Sequence, residues 1–256
     1  MSSLPEHDEF STHAVPTDAR VASFRVAAVA SMVSFSLPTF IAGIEVSSGV
    51  GSGLTLAVIL GGALVIFLIG WLMGSIGART GFSSYLLVRL AFGDAGARVV
   101  NLAFSISLLG WFGINLNLFG LAIAGLSDEL FGIIPPELLV TIVASLLITV
   151  TTIIGFRAIN LVSTLMIPVL AFVAMALLVT ATSQTAPVIA ASEGEMSLGD
   201  GISAIVGSIV IGSIIMPDIT RFLRTSGGAF LTSGTGYMIA QPFVTVSYTH
   251  LRAHET

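Results

Sequence analysis

The chain has 256 residues, of which 55% are hydrophobic and only 9% charged, against about 25% charged in a soluble domain. Its nine basic residues are all Arg, scattered through a chain of net charge -5, which excludes a nucleic-acid partner read by a basic stripe. There is no Cys, so a disulfide framework, a thiolate nucleophile and a Cys-based metal centre are excluded as well.

Residues 1–21 are polar and place Glu6, Asp8, Glu9 and Asp18 ahead of any apolar run. That order is wrong for a cleaved signal peptide, so the segment is expected to be a cytoplasmic tail. Residues 22–245 are expected to form a transmembrane domain, because crossing about 30 Å of hydrocarbon takes roughly 20 apolar helical residues. The stretches 26–46, 54–74, 99–126, 138–155, 159–182 and 202–216 qualify or nearly do, and a seventh runs over 228–245. They are too long, and too free of alternation, for buried strands; the predicted class is an all-α polytopic membrane protein.

Arg20 and Arg25 precede the first span, and Arg79, Arg89 and Arg98 lie between the second and third. Arg157 lies between the fourth and fifth, and Arg221 and Arg224 follow the sixth. The alternate loops hold Glu45, Asp128, Glu129, Glu137, Glu193 and Glu195 and no Arg. Short cytoplasmic loops retain positive residues, so the amino terminus is expected in the cytoplasm and the protein in the inner membrane of a bacterium. Gly49, Gly51 and Gly53 lack a phosphate-loop Lys and are expected to be turns.

Two spans look interrupted. The first carries Ser31, Ser34, Ser36, Pro38 and Gly43 near its middle, and the short sixth carries Gly207, Ser208, Gly212 and Ser213. Pro removes a backbone donor, and an interrupted helix survives in lipid only where protein or a cavity surrounds it. Interrupted spans point to a transporter's binding site, although Gly and Ser also serve plain helix packing. Of the two Trp residues, Trp71 lies near a boundary as an interfacial anchor, whereas Trp111 lies well inside the third span between Gly110 and Gly113. Asn115 and Asn117 follow it and suit interhelical hydrogen bonds. Asp218 and Arg221 have the spacing of a helical ion pair.

The run 77–93, GARTGFSSYLLVRLAFG, resembles the loop after the second helix of nucleobase:cation symporters of the cytosine permease type. So do Gly110-Trp111-Phe112-Gly113, Val206-Gly207-Ser208, and Asp218, Arg221 and Phe222. The resemblance covers about residues 20–240. It implies the front half of a twelve-helix, five-plus-five inverted-repeat fold with discontinuous helices one and six. It implies cation-coupled uptake of a nucleobase, hydantoin or pyrimidine-like heterocycle, with no cofactor, no obligate protein partner and no metal beyond a coupling ion.

Carried onto this sequence, the resemblance makes Trp111 a ring stacked on a planar base. Leu108, Gly110, Phe35, Ser36, Gly207, Ser208 and Ile209 are placed around the substrate, and Ser31 and Ser34 near a sodium ion. Two positions depart from the cytosine permease pattern: Leu108 replaces a glutamine that reads the pyrimidine edge, and Ile209 replaces a second stacking aromatic. A pocket that loses an amide and a ring selects differently, which argues against cytosine as the best substrate. Proton relays in membranes use buried Asp, Glu or His; the spans hold only Glu45, at an outer end, so sodium is favoured over a proton. A membrane-embedded enzyme would need an acid–base pair or a nucleophile within these spans, and a channel or scaffold would not concentrate its solute. Residues 246–256 are polar where the seventh span should still be apolar, and they match one reading frame of a common transposon-derived sequencing adapter. They are expected to be non-native, with no chemistry at His250, Arg252, His254 or Glu255.

Overall fold

The computed structural model describes residues 10, 12–155, 158–162, 164–166, 168–169, 172, 175 and 196–249. The acidic residues Glu6, Asp8 and Glu9, most of the expected span 159–182, Arg157, Glu193, Glu195 and residues 250–256 lie outside the described residues. The first span is two helices, α1 (Ser23–Ser34) and α2 (Leu37–Val50), bent by 54° at their junction. The second is α3 (Ser52–Thr80), begun at Gly51 and closed by Gly81 in the left-handed region. The third lies in α4 (Ser84–Phe131), where Ser83 accepts the Leu86 N–H and Gly93, at φ 68, interrupts the helix. The fourth is α5 (Glu137–Ile154).

The sixth span is α6 (Leu198–Gly207), α7 (Val210–Ile214) and α8 (Pro217–Thr220). The seventh is α9 (Gly228–Ser233), a π-helix over Gly234–Ala240, and α10 (Gln241–Thr249). Among the described residues three helices are long and apolar enough to cross a membrane, or four with the bent α1–α2 pair taken as one span. The chain is a multi-pass all-α membrane protein.

Helix α3 is the axis of the packing. Its most apolar window is 39% buried inside the protein, against 6% for α4 and 11% for α5, so α4 and α5 pair with each other and present most of their surface outward. One side of α3 approaches spans six and seven closely enough to exclude side chains. A Cβ on Gly62 would come within 2.6 Å of Ile205, on Gly70 within 2.6 Å of the Tyr237 ring, and on Gly77 within 2.5 Å of the Pro217 Cα. Small residues at helix contacts replace the hydrophobic drive that lipid removes. Val58, Ile59, Ile66 and Phe67 of α3 then share one core with Val46, Ile205, Ile209, Met216 and Tyr237. Phe67 and Trp71 stack with centroids 6.2 Å apart, and Phe230 meets both edge-on, so Trp71 ties α3 to α9.

Part of the tail ahead of α1 is strapped across the end of this bundle. The Val15 N–H donates to Gly81 O at 2.9 Å and Val21 N–H to Phe222 O at 2.7 Å, while Arg224 N–H returns to Val21 O at 3.2 Å. Arg20 donates to Val15 O and, at 3.1 Å, to Ala78 O at the end of α3. Arg221 reaches Phe10 O at 3.0 Å, and Arg224 reaches Arg20 O at 3.0 Å. Val15 is 1% exposed beneath this mesh. Hydrogen bonds to a charged group contribute about 1.5–3 kcal/mol each, so Arg20→Ala should release the strap locally and leave the spans folded. The check is proteinase K cleavage within residues 10–22, expected to be faster; an unchanged cleavage rate would refute the assignment.

Candidate functional site between two helix breaks

The interruption in the first span falls at Phe35 (φ -83, ψ 57) and Ser36 (φ -113, ψ 146). Pro38 lies at the start of α2, where its missing N–H has no intrahelical partner to lose; it opens the second half instead of kinking a continuous helix. Ser36 Oγ and Thr39 Oγ1 share a hydrogen bond of 2.9 Å across the new first turn. In the sixth span α6 is capped by Ser197, whose hydroxyl accepts from the Asp200 N–H at 3.2 Å. It stops at Gly207, and Ile209 (φ -148, ψ 1) breaks the helix before α7.

The two breaks adjoin. A Cβ on Gly212 would meet Val33 Cγ1 at 3.0 Å, the Tyr237 hydroxyl at 3.6 Å and Ile209 Cγ1 at 3.7 Å, so this bare backbone is where spans one, six and seven converge. Ser34, fully buried at the end of α1, donates to Gly236 O of the π-helix at 2.8 Å. Its hydroxyl proton is committed there, and its lone pairs remain available to a cation. Ser31, Phe35 and Ser36 are half-buried beside it.

In span six, Ser208 is half-buried and turns its hydroxyl back to Ile205 O at 2.7 Å. Gly207 is exposed, with open space where a side chain would stand. Ile209 is 5% exposed and belongs to the main core. The third-span residues stand apart from this junction: Leu108 is 41% exposed, Gly110 is exposed and Trp111 half-buried, on a helix that packs against α5 and touches α2. Asn115 spends its amide within its own helix, on the Trp111 carbonyl at 2.8 Å, whereas Asn117 does cross to another helix and reaches Glu137 at 3.3 Å.

At the strap end of the bundle, Asp218 accepts the Ser84 N–H at 3.1 Å and so fixes the start of α4. Arg221 donates to the Asp218 main-chain oxygen at 3.3 Å and lies over the Phe222 ring, 5.0 Å from its centroid. These residues tie the end of span six to the loop after span two. Among the described residues no group of His, Cys, Asp and Glu is placed to hold a metal ion. Sequence reasoning missed the polar side of span seven, where Ser233, Tyr237, Gln241 and Thr245 are all fully buried; their four-residue spacing inside an apolar run was the available signal.

Residues 15–248 match the family described as "Permease for cytosine/purines, uracil, thiamine, allantoin". The cytosine permease of Escherichia coli K12 is 25% identical over 245 residues, a match covering 92% of this chain and 56% of that protein. The cytosine permease of a second Escherichia coli strain gives the same figures. The chain therefore spans about half the length of the curated relatives it matches. Its fold matches MHP1, a nucleobase-cation-symport-1 family transporter solved in a closed conformation with bromovinylhydantoin bound, at a TM-score of 0.81 and 18% identity; the match covers 93% of this chain and 57% of that one. The fold of that structure's front half, with the first and sixth spans each broken, is thus built here from a sequence matched almost end to end by one permease model: the chain belongs to the cytosine/purine permease family.

Proposed function

We propose that the full-length protein takes up a nucleobase or a related planar heterocycle across the cytoplasmic membrane, coupled to a cation. The observation that carries this reading is the meeting of two helix breaks at Gly212, beside the main apolar core and among buried hydroxyls such as Ser34 and Ser213. Irregular backbone at that depth is tolerated where it is buried in protein or lines a cavity, and in transporters such breaks bind substrate and coupling ion. Heterocycle recognition is supported by the family description and by the hydantoin bound to MHP1. Leu108 and Ile209 replace the amide and ring of a cytosine site, which favours a substrate other than cytosine. Sodium is the favoured coupling ion, since the breaks carry hydroxyls and no carboxylate. The amino terminus is assigned to the cytoplasm from the alternation of Arg between loops.

The test is uptake into proteoliposomes by the product of the complete gene, recovered by sequencing the source locus across the codon for Val246. That locus should read on into further apolar spans in place of the present residues 246–256. Accumulation of one heterocycle against its gradient, abolished by replacing sodium, is the expected result. Equilibration without accumulation would indicate a channel, and uptake that follows a pH gradient and ignores sodium would assign the coupling to protons.

A further inference from the structure

Two successive residues of the π-helix hold the two broken spans. Gly236 offers its carbonyl to Ser34 Oγ at the end of α1 and to the Gln241 N–H that closes the wide turn. Its α-carbon lies against α1 so tightly that a Cβ would stand 3.1 Å from Ala30 O. The next residue, Tyr237, is fully buried. Its ring lies on bare backbone at Gly70 of α3, and its hydroxyl extends to Gly212, where Val33 and Ile209 also meet. That hydroxyl has no hydrogen-bond partner among the described residues, and what it contributes there is reach and shape.

The π-helix also decides which faces can point inward together. One extra residue in a helix rotates everything beyond it by about 100°. Upstream, Ser233 is buried; downstream, Gln241 and Thr245 are buried, with Thr245 against Gly43 of α2. In a regular α-helix residues four apart drift by about 40° per step, and the wide turn narrows the face these groups share. π-turns are rare and gather at functional sites.

We propose that this π-turn sets the break in span six against the break in span one, with Tyr237 as its positioning residue. The coupling runs from Ser34 through Gly236 and Tyr237 to Gly212, so loosening one break loosens the other. The assignment rests on the reading of the two breaks as the transport site.

The experiment is backbone hydrogen–deuterium exchange on the full-length protein in sodium-free buffer, comparing Ser34→Ala and Tyr237→Phe, each of which removes a single oxygen. Ser48→Ala serves as control, because that exposed hydroxyl bonds only to its own helix at Ile44 and Glu45. Local opening governs such exchange, and both variants should quicken it by roughly threefold or more over residues 207–213, a segment that carries neither substitution. Tyr237→Phe should do so without lowering Tm, because it removes a buried hydroxyl that has no partner among the described residues, a contrast that a loss of general packing would not give. Exchange at 207–213 that matches the Ser48→Ala control in either variant overturns the proposal. Binding of a heterocycle panel by the unaltered protein is measured alongside: failure to bind any member defeats the transport-site reading, while the exchange result still decides the coupling.

Discussion

Trp111→Ala in the full-length protein is expected to weaken binding of the transported heterocycle without unfolding the bundle. One base-stacking contact contributes about 1–3 kcal/mol, which is roughly a five- to hundred-and-fifty-fold rise in Kd at about 1.4 kcal/mol per tenfold. Among the described residues the ring is half-buried, and nothing lies within 4 Å of a Cβ added at Gly110. Equilibrium binding across nucleobases, hydantoins and pyrimidines reads the effect, and an unchanged Kd for every ligand would remove the stacking role. The reciprocal experiment, Leu108→Gln with Ile209→Phe to restore a cytosine site, meets unequal surroundings. Leu108 has room, whereas Ile209 is packed in the core. A larger ring there costs about 1–3 kcal/mol of stability by overpacking, so gained cytosine affinity is to be read together with a lowered Tm.

Gly77→Leu should be the most damaging single change in the chain. Even the first added carbon would stand 2.5 Å from the Pro217 Cα and 2.7 Å from Thr220 Oγ1. A flexible side chain can turn aside from such a clash; a proline backbone at the start of α8 cannot. Overpacking a close-packed site costs about 1–3 kcal/mol, and more when main chain has to move; here α3 and span six must separate along a contact that also includes Gly62, Gly70 and Gly74. Gly53→Ala is the matched control, since nothing lies within 4 Å of its added carbon. The readout is Tm and monodispersity in detergent; Gly77→Leu protein indistinguishable from Gly53→Ala would show that the helices have slack there.

Both helix breaks could be read from the residues because their causes are local. Pro38 cannot continue a helix begun at Ser23, and the Gly207-Ser208 pair weakens one begun at Leu198; the structure puts the discontinuities at Phe35–Ser36 and Ser208–Ile209. The span ends were less legible. Span six extends from Leu198 to Thr220 in three pieces, where the apolar run alone suggested 202–216, because Pro217 starts a further turn. The strap was invisible, since most of its bonds end on main-chain carbonyls that any sequence supplies. The π-helix was invisible for a related reason: a shift from one carbonyl partner to the next leaves no trace in composition. Ile209 shows the remaining gap: its place in the chain suggested a pocket wall, and the structure has it 5% exposed within the main core.

The strap has a consequence for the order of assembly. Residues 15–21 bond to residues 78 and 81 and also to residues 222 and 224, partners separated by most of the chain. During synthesis at about 5–20 residues per second, the tail leaves the ribosome first, yet its second set of partners emerges roughly ten to forty seconds later. The tail can therefore bond to the end of α3 early, through Val15 and Arg20, while its bonds to residues 222 and 224 form only after the sixth span has been made. The tail thus reports insertion of the sixth span: its full protection from protease during translation should appear only once Arg224 has cleared the translocon.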